Sequence, residues 1–219
     1  MVELIRGLDP ARIAANLAGV REEVERVAAG REVRILAATK YVPDEELGAL
    51  AQAGVEIVGE NRAQDLERKV ASHADLFEWH FIGRLQSRKV KAIVPHVSLI
   101  HSLASASALA QLRSHAALAR PGLRVLLEVN VAGEEGKAGI APQEIGAYLA
   151  GAPVPVAGLM TMPPLARDPE ASRPVFRALR ALAAEHGLSE LSMGTSQDYR
   201  VAVEEGATIV RIGTSLYDQ

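Results

Sequence analysis

Eight short apolar runs, each rich in β-branched residues and most followed by a longer segment of helical period, set the strongest limit on what this 219-residue chain can fold into. The runs cover residues 34–40, 55–60, 79–83, 97–103, 123–131, 154–160, 188–194 and 208–213. Helical period falls between them on 43–54, 61–72, 85–93, 106–118, 142–151, 168–187 and 196–206. Three of these segments stop at a glycine suited to a left-handed C-cap, namely Gly54, Gly187 and Gly206. An earlier helix opens at Asp9 and Pro10, a cap followed by a first-turn proline. It carries Ile13, Leu17, Val20, Val24 and Val27 at helical spacing and is closed by Gly30. Eight strands alternating with helices is the pattern of a (β/α)8 barrel of the TIM type, α/β in class, here with an extra N-terminal helix. An open doubly wound sheet is the rival, but no Gly-x-Gly-x-x-Gly turn follows the first run. No linker, repeat or low-complexity stretch interrupts the alternation, so a single domain over residues 1–219 is expected.

Composition removes several function classes. With no cysteine the chain has no disulfide framework, no thiolate zinc site and no cysteine nucleophile. A net charge of −3 gives no general electrostatic attraction to nucleic acid or to an anionic membrane, and neither is expected as a partner. The start lacks an apolar segment of signal-peptide type, and no stretch approaches the 18 or so apolar residues of a membrane span. A cytoplasmic protein is the expectation.

In a parallel barrel the active site forms where the strands end, so polar residues that terminate apolar runs are the candidates. They are Lys40, Glu60 with Asn61, His80, His101 with Ser102, Asn130, Thr161, Ser196, and Arg211 with Thr214. Lys40 is one of only five lysines and the only one that ends an apolar run. A lysine in a partly desolvated barrel mouth is a nucleophilic amine that can form a Schiff base with an aldehyde. A lysine that merely snorkels from the barrel end and pairs with an acid such as Glu60 fits the same position. The last two units carry a second signal. Run seven ends "SMGTS" and leads into a helix that Thr195 or Ser196 is expected to cap, and run eight ends "VRIGTS", where Gly213 permits close approach and Thr214 adds a hydroxyl. Loops after strands seven and eight are the usual phosphate site of this fold, which points to a phosphorylated aldehyde opposite Lys40. His80 and His101 come from different strands without a carboxylate at ligand spacing, so satisfied core or rim histidines are expected rather than metal ligands.

From about residue 33 onward the motifs "ATKYVP", "GENRAQDL", "WHFIGRLQSRKVK", "HSLAS", "LLEVNVAGEEGKAG", "GLMTMPP" and "LSMGTSQDYRVAVEEGATIVRIGTSLY" together resemble the YggS/PROSC family of pyridoxal phosphate homeostasis proteins. The resemblance implies a barrel like the N-terminal domain of fold-type III enzymes such as alanine racemase, with pyridoxal 5'-phosphate held covalently as a Schiff base on Lys40. By motif position it implies that Ser196, Gly213 and Thr214 hold the phosphate, that Arg211 faces the pyridine nitrogen and that Asn61 lies beside the ring. His80 and Met193 are weaker candidates for the pocket wall.

A guanidinium at the ring nitrogen is a permanent donor and leaves the ring a poor electron sink, which disfavours amino-acid catalysis. The chain also ends at Gln219 without the second domain that supplies the catalytic tyrosine of alanine racemases. The expectation is therefore a monomeric binder that buffers pyridoxal phosphate or delivers it to apo-enzymes, without catalytic turnover. A pyridoxal-dependent racemase is the alternative, and a colourless Schiff-base aldolase using Lys40 is a third class. Arg88, Ala104 and Thr195 depart from the family pattern, which leaves any function of the Arg88 and Ala104 rim open.

Overall fold

The structure, a computed structural model, describes residues 4–134 and 136–218. Every one of the eight runs forms a strand. They are β1 Arg34–Ala38, β2 Ile57–Glu60, β3 Glu78–Phe81, β4 Leu99–Leu103, β5 Arg124–Glu128, β6 Val156–Met160, β7 Glu190–Thr195 and β8 Ile209–Ile212. Each pairs in parallel with the next, and β8 returns to β1 through Arg34 opposite Ile209 and Leu36 opposite Arg211, closing the barrel. The strands are shorter than the apolar runs because the ends of several runs form turns and mouth loops.

The helices are α1 Pro10–Ala28, α2 Leu47–Gln52, α3 Ala63–His73, α4 Val90–Ile93, α5 Ala106–Ser114, α6 Ile145–Gly151, α7 Arg173–Glu185, α8 Tyr199–Glu204 and α9 Thr214–Tyr217. Four begin as 3-10 turns, at Asp44–Glu46, Ser87–Lys89, Pro142–Glu144 and Pro169–Ser172, so the regular helix starts later than the periodicity predicts. Helix α9 has no counterpart in the sequence reading. It is a single turn, too short to establish a period.

Asp9 caps α1 by accepting a hydrogen bond from the Ala11 amide, with Pro10 in the first turn. Ile13, Leu17, Val20, Val24 and Ala28 are buried, while Val27 is only half-buried. The closure differs slightly from the expected one. Ala29 itself takes the left-handed conformation at φ 51° before Gly30 at φ 82°. Helix α1 packs on α2, α8 and α9, so this N-terminal segment covers the side of the barrel where the last strand meets the first.

Strand pleating sorts the side chains into two populations. Leu36, Ile57, Leu99, Leu126, Met160 and Ile209 form a compact cluster inside the barrel. Their neighbours Ala37, Val58, Ile100, Leu127, Leu159 and Val210 belong to the larger core between strands and helices. Near the N-terminal end, β1, β3, β5 and β7 contribute Arg34, Glu78, Arg124 and Glu190, a charged layer from alternate strands. Arg34 lies 3.0 Å from Glu190 and 3.8 Å from Glu78, and Arg124 also pairs with Glu190.

Candidate cofactor site at the barrel mouth

The C-terminal ends of the strands surround a cavity of about 390 Å³ lined by Lys40, Asn61, Ser196, Arg211, Gly213 and Thr214. Six of the eight cofactor-site residues that the family resemblance implies therefore share one cavity, whereas Glu60, His101, Ser102, Asn130 and Thr161, also candidates at strand ends, do not line it. Strand β1 ends two residues before Lys40, whose side chain is exposed with Nζ 4.6 Å from the centroid of the Tyr41 ring. The specific partner that a snorkelling Lys40 would use is already taken. Glu60 is fully buried and accepts from Lys69 Nζ at 2.5 Å and from Thr39 Oγ1 at 2.6 Å.

Arg211 leaves β8 at the level of the mouth and is 6 % exposed. Its guanidinium donates to Ser192 O at 2.9 Å, Ser192 Oγ at 2.5 Å, Thr161 O at 3.2 Å and Met162 Sδ at 2.7 Å. Burial pulls its pKa down to about 10, against the opposing attraction of Asp198 and Glu128, and it remains a cation at neutral pH. Asn61 follows β2, and its Oδ1 is buried without a hydrogen-bond partner among the described residues. An orphaned acceptor on the wall of a cavity fits a ligand that brings a donor.

The loops after β7 and β8 are tied together by Ser196, whose Oγ accepts from the amides of Gly213 at 3.0 Å and Ser215 at 3.4 Å. This differs from the capping role expected for Thr195 or Ser196. Helix α8 starts only at Tyr199 after Asp198, and the Asp198 carboxylate accepts from both the amide and the hydroxyl of Thr195. The tight Thr195–Asp198 turn leaves Ser196 pointing across to the β8 loop.

His80 and Met193 do not line this cavity, Met193 because of its pleat parity and His80 because of its depth. Ser192 faces the barrel interior, so Met193 next to it faces the helices and is buried in the outer core. His80 lies one layer deeper, fully buried, with Nδ1 3.0 Å from His101 Nε2 and Nε2 2.8 Å from Glu78 Oε1. Both histidines are satisfied core residues. Ile5, Tyr41, Ile82, Met162 and Tyr217 also line the cavity and were not legible as site residues. Tyr217 donates to Ala38 O at 3.2 Å, and its hydroxyl proton is held tightly because burial and Glu60 both disfavour the phenolate. Arg88 and Ala104, two departures from the family pattern, line a neighbouring groove, whereas Thr195 lines the mouth.

Burial depresses the pKa of His80, although Glu78 pulls the other way, and that of His101 well below 6.5, where like charges from His80 and Arg211 add to the effect. The unfolded chain then binds more protons than the folded one below pH 6.5, so stability falls as pH falls through that range. Thermal melts between neutral pH and pH 5.5 should show this loss in the wild type and a smaller loss in His101→Gln. Equal slopes would refute the assignment of neutral, buried rings.

The alanine racemase N-terminal domain family matches residues 8–219. A curated relative from Aquifex aeolicus, a pyridoxal phosphate homeostasis protein, is 42 % identical over 95 % of this chain and 96 % of its own. One from Pseudomonas aeruginosa with the same name is 37 % identical over 94 % of each chain. The chain belongs to the YggS/PROSC family of pyridoxal phosphate homeostasis proteins. Among solved structures of this family, PipY of Synechococcus elongatus aligns both without and with pyridoxal phosphate bound, at TM-scores of 0.82 and 0.81. The identity is 32 % in each case, over 94 % of this chain and 99 % of PipY. A lysine/ornithine decarboxylase from Vibrio vulnificus, at 14 % identity and TM-score 0.68, shares the barrel fold. No helix among the described residues is long and apolar enough to cross a membrane.

Proposed function

We propose that this protein holds pyridoxal 5'-phosphate covalently through Lys40 and serves to buffer or deliver it. The observation that carries this reading is the meeting of Lys40, Asn61, Arg211 and the Ser196, Gly213 and Thr214 loops on one cavity. The family membership and the cofactor-bound PipY structure support it. Bound there, the cofactor supplies an aldehyde that an amine captures and a ring that withdraws electrons. Lys40 offers the amine. The Ser196 hydroxyl proton, not used toward the amides whose bonds its oxygen accepts, and the Thr214 hydroxyl offer donors suited to a phosphate, Gly213 lets the group approach closely, and Asn61 Oδ1 offers an acceptor. Apolar side chains of Ile5, Ile82 and Met162 fit the face of an aromatic ring.

Arg211 favours a carrier over a catalyst. A guanidinium donates and does not accept, so a pyridine nitrogen beside it keeps its lone pair and the ring draws electrons weakly. Carbanion chemistry on amino acids is disfavoured accordingly. The test is to incubate loaded protein with a panel of amino acids in D2O and, separately, with an apo-enzyme that needs the cofactor. The expected results are no deuterium at any α-carbon and restoration of the apo-enzyme. Sustained deuterium wash-in would make the protein an enzyme of the racemase type.

A further inference from the structure

The barrel interior contains polar groups that the mouth site does not use, and they form a single file. Starting from the mouth, Arg211 donates to Ser192 Oγ at 2.5 Å, and Ser192 Oγ lies 2.8 Å from His101 Nδ1. His101 Nε2 lies 3.0 Å from His80 Nδ1, and His80 Nε2 lies 2.8 Å from Glu78 Oε1. The residues come from β8, β7, β4, β3 and β3 in turn, so the file crosses the barrel rather than following one strand. At the far end Glu78 lines a second cavity of about 330 Å³, on the opposite side of the sheet layers from Lys40, together with Arg34, Glu32 and Glu56.

The two ends fix the direction of every bond between them. Arg211 can only donate, so Ser192 Oγ accepts from it, and the ionised Glu78 at the other end, read back through two neutral rings, makes His101 Nδ1 an acceptor to which the Ser192 hydroxyl donates. His101 then carries its proton on Nε2 and donates to His80 Nδ1, and His80 carries its proton on Nε2 and donates to Glu78. Glu78 is an ionised acceptor. The His80 N–H bond, with help from Ser98 Oγ at 2.7 Å, holds its pKa at about 2 in spite of partial burial. Reversing any one bond would leave two donors or two acceptors facing each other in a dry interior.

We propose that Glu78, His80, His101 and Ser192 are positioning residues that hold the Arg211 donor from the opposite end of the barrel and couple that end to the cofactor's ring nitrogen. This rests on the reading of the mouth as a pyridoxal phosphate site. By linkage, whatever effect a change at Glu78 has on a ligand at Arg211 is matched by an equal effect of that ligand on Glu78. None of Glu78, His80, His101 and Ser192 lines the mouth cavity, so packing against the ligand does not account for such an effect.

Two measurements on the intact protein test this. Nitrogen-15 NMR of protein without added cofactor should show both His80 and His101 neutral with the proton on Nε2, and adding pyridoxal phosphate should shift the His80 signals. Equilibrium titration with pyridoxal phosphate should show at least about fivefold weaker binding in Glu78→Gln, the lower end of ordinary coupling between sites. His80→Asn, which breaks the file in its middle, should reproduce that loss. Glu190→Gln alters the same charged layer and reaches the file only indirectly, through Arg34, so it should weaken binding less than Glu78→Gln does. A proton on Nδ1 of either ring, or equal binding in Glu78→Gln and Glu190→Gln, overturns the coupling even if the wild type binds normally. A wild type that takes up no pyridoxal phosphate brings down the cofactor reading itself, and the coupling with it.

Discussion

Replacing Lys69 with methionine is expected to destabilise the protein by about 3–5 kcal/mol, which for a chain of this size lowers the melting temperature by roughly 6–20 °C. Lys69 is 1 % exposed, and its Nζ donates to Glu60 Oε1 at 2.5 Å and to Thr39 O at 2.9 Å. Methionine keeps the apolar stem but strands the Glu60 carboxylate, whose Oε2 already lacks a partner among the described residues. A buried charge left alone is the costly half of a broken pair, whereas replacing both halves is often close to neutral. Lys69→Met combined with Glu60→Leu should therefore recover most of the lost stability. Because Lys69 also holds the carbonyl of the residue before Lys40, the single variant should lose cofactor uptake at temperatures where it is still folded. A single variant that melts within a few degrees of the wild type would show that the pair carries little.

Gly83→Ala is the second large expected effect. A Cβ built on Gly83 would sit 2.5 Å from Asn61 Cα and 2.6 Å from the Asn61 carbonyl carbon, a backbone collision that no rotamer change relieves. The cost should reach about 3 kcal/mol, the upper part of the usual range for overpacking, or roughly 6–12 °C in melting temperature. The displaced group is the loop that carries the orphaned Asn61 Oδ1. Pyridoxal phosphate binding should accordingly weaken more than it does in Gly19→Ala, whose Cβ meets nothing and which lies on the exposed face of α1. Unchanged melting and unchanged binding would mean that the β2 and β3 loops yield at no cost.

The barrel was legible because its signal is repeated eight times and each strand ends at a turn or a polar residue. The lysine at the end of β1, the Ser196 and Gly213 loops and Arg211 were legible for a related reason, since parallel-barrel geometry gathers strand ends at one face. Parity was harder to read. Met193 takes the outward parity on β7, and His80, although it faces inward, lies one layer below the wall, a depth that nothing in "WHFIG" announces. Lys69 falls in a segment of helical period and carries no further expectation from the sequence. Its spacing from Ala63 and Leu66 on α3 was a usable sign that it shares their buried face, and Glu60 was the available partner. Ile5 and Tyr217 reach the cavity from opposite ends of the chain, and no local pattern announces a contact of that kind.

Lys40 is the residue proposed to capture the cofactor. The most direct test is the near-ultraviolet and visible spectrum of the purified protein given pyridoxal phosphate, recorded before and after borohydride, beside Lys40→Ala. The expected result is a yellow Schiff-base band in the wild type that borohydride abolishes while fixing the cofactor's mass to the Lys40 peptide, and no such band in the variant. A wild type that stays colourless, or a Lys40→Ala protein with the same band, would contradict it.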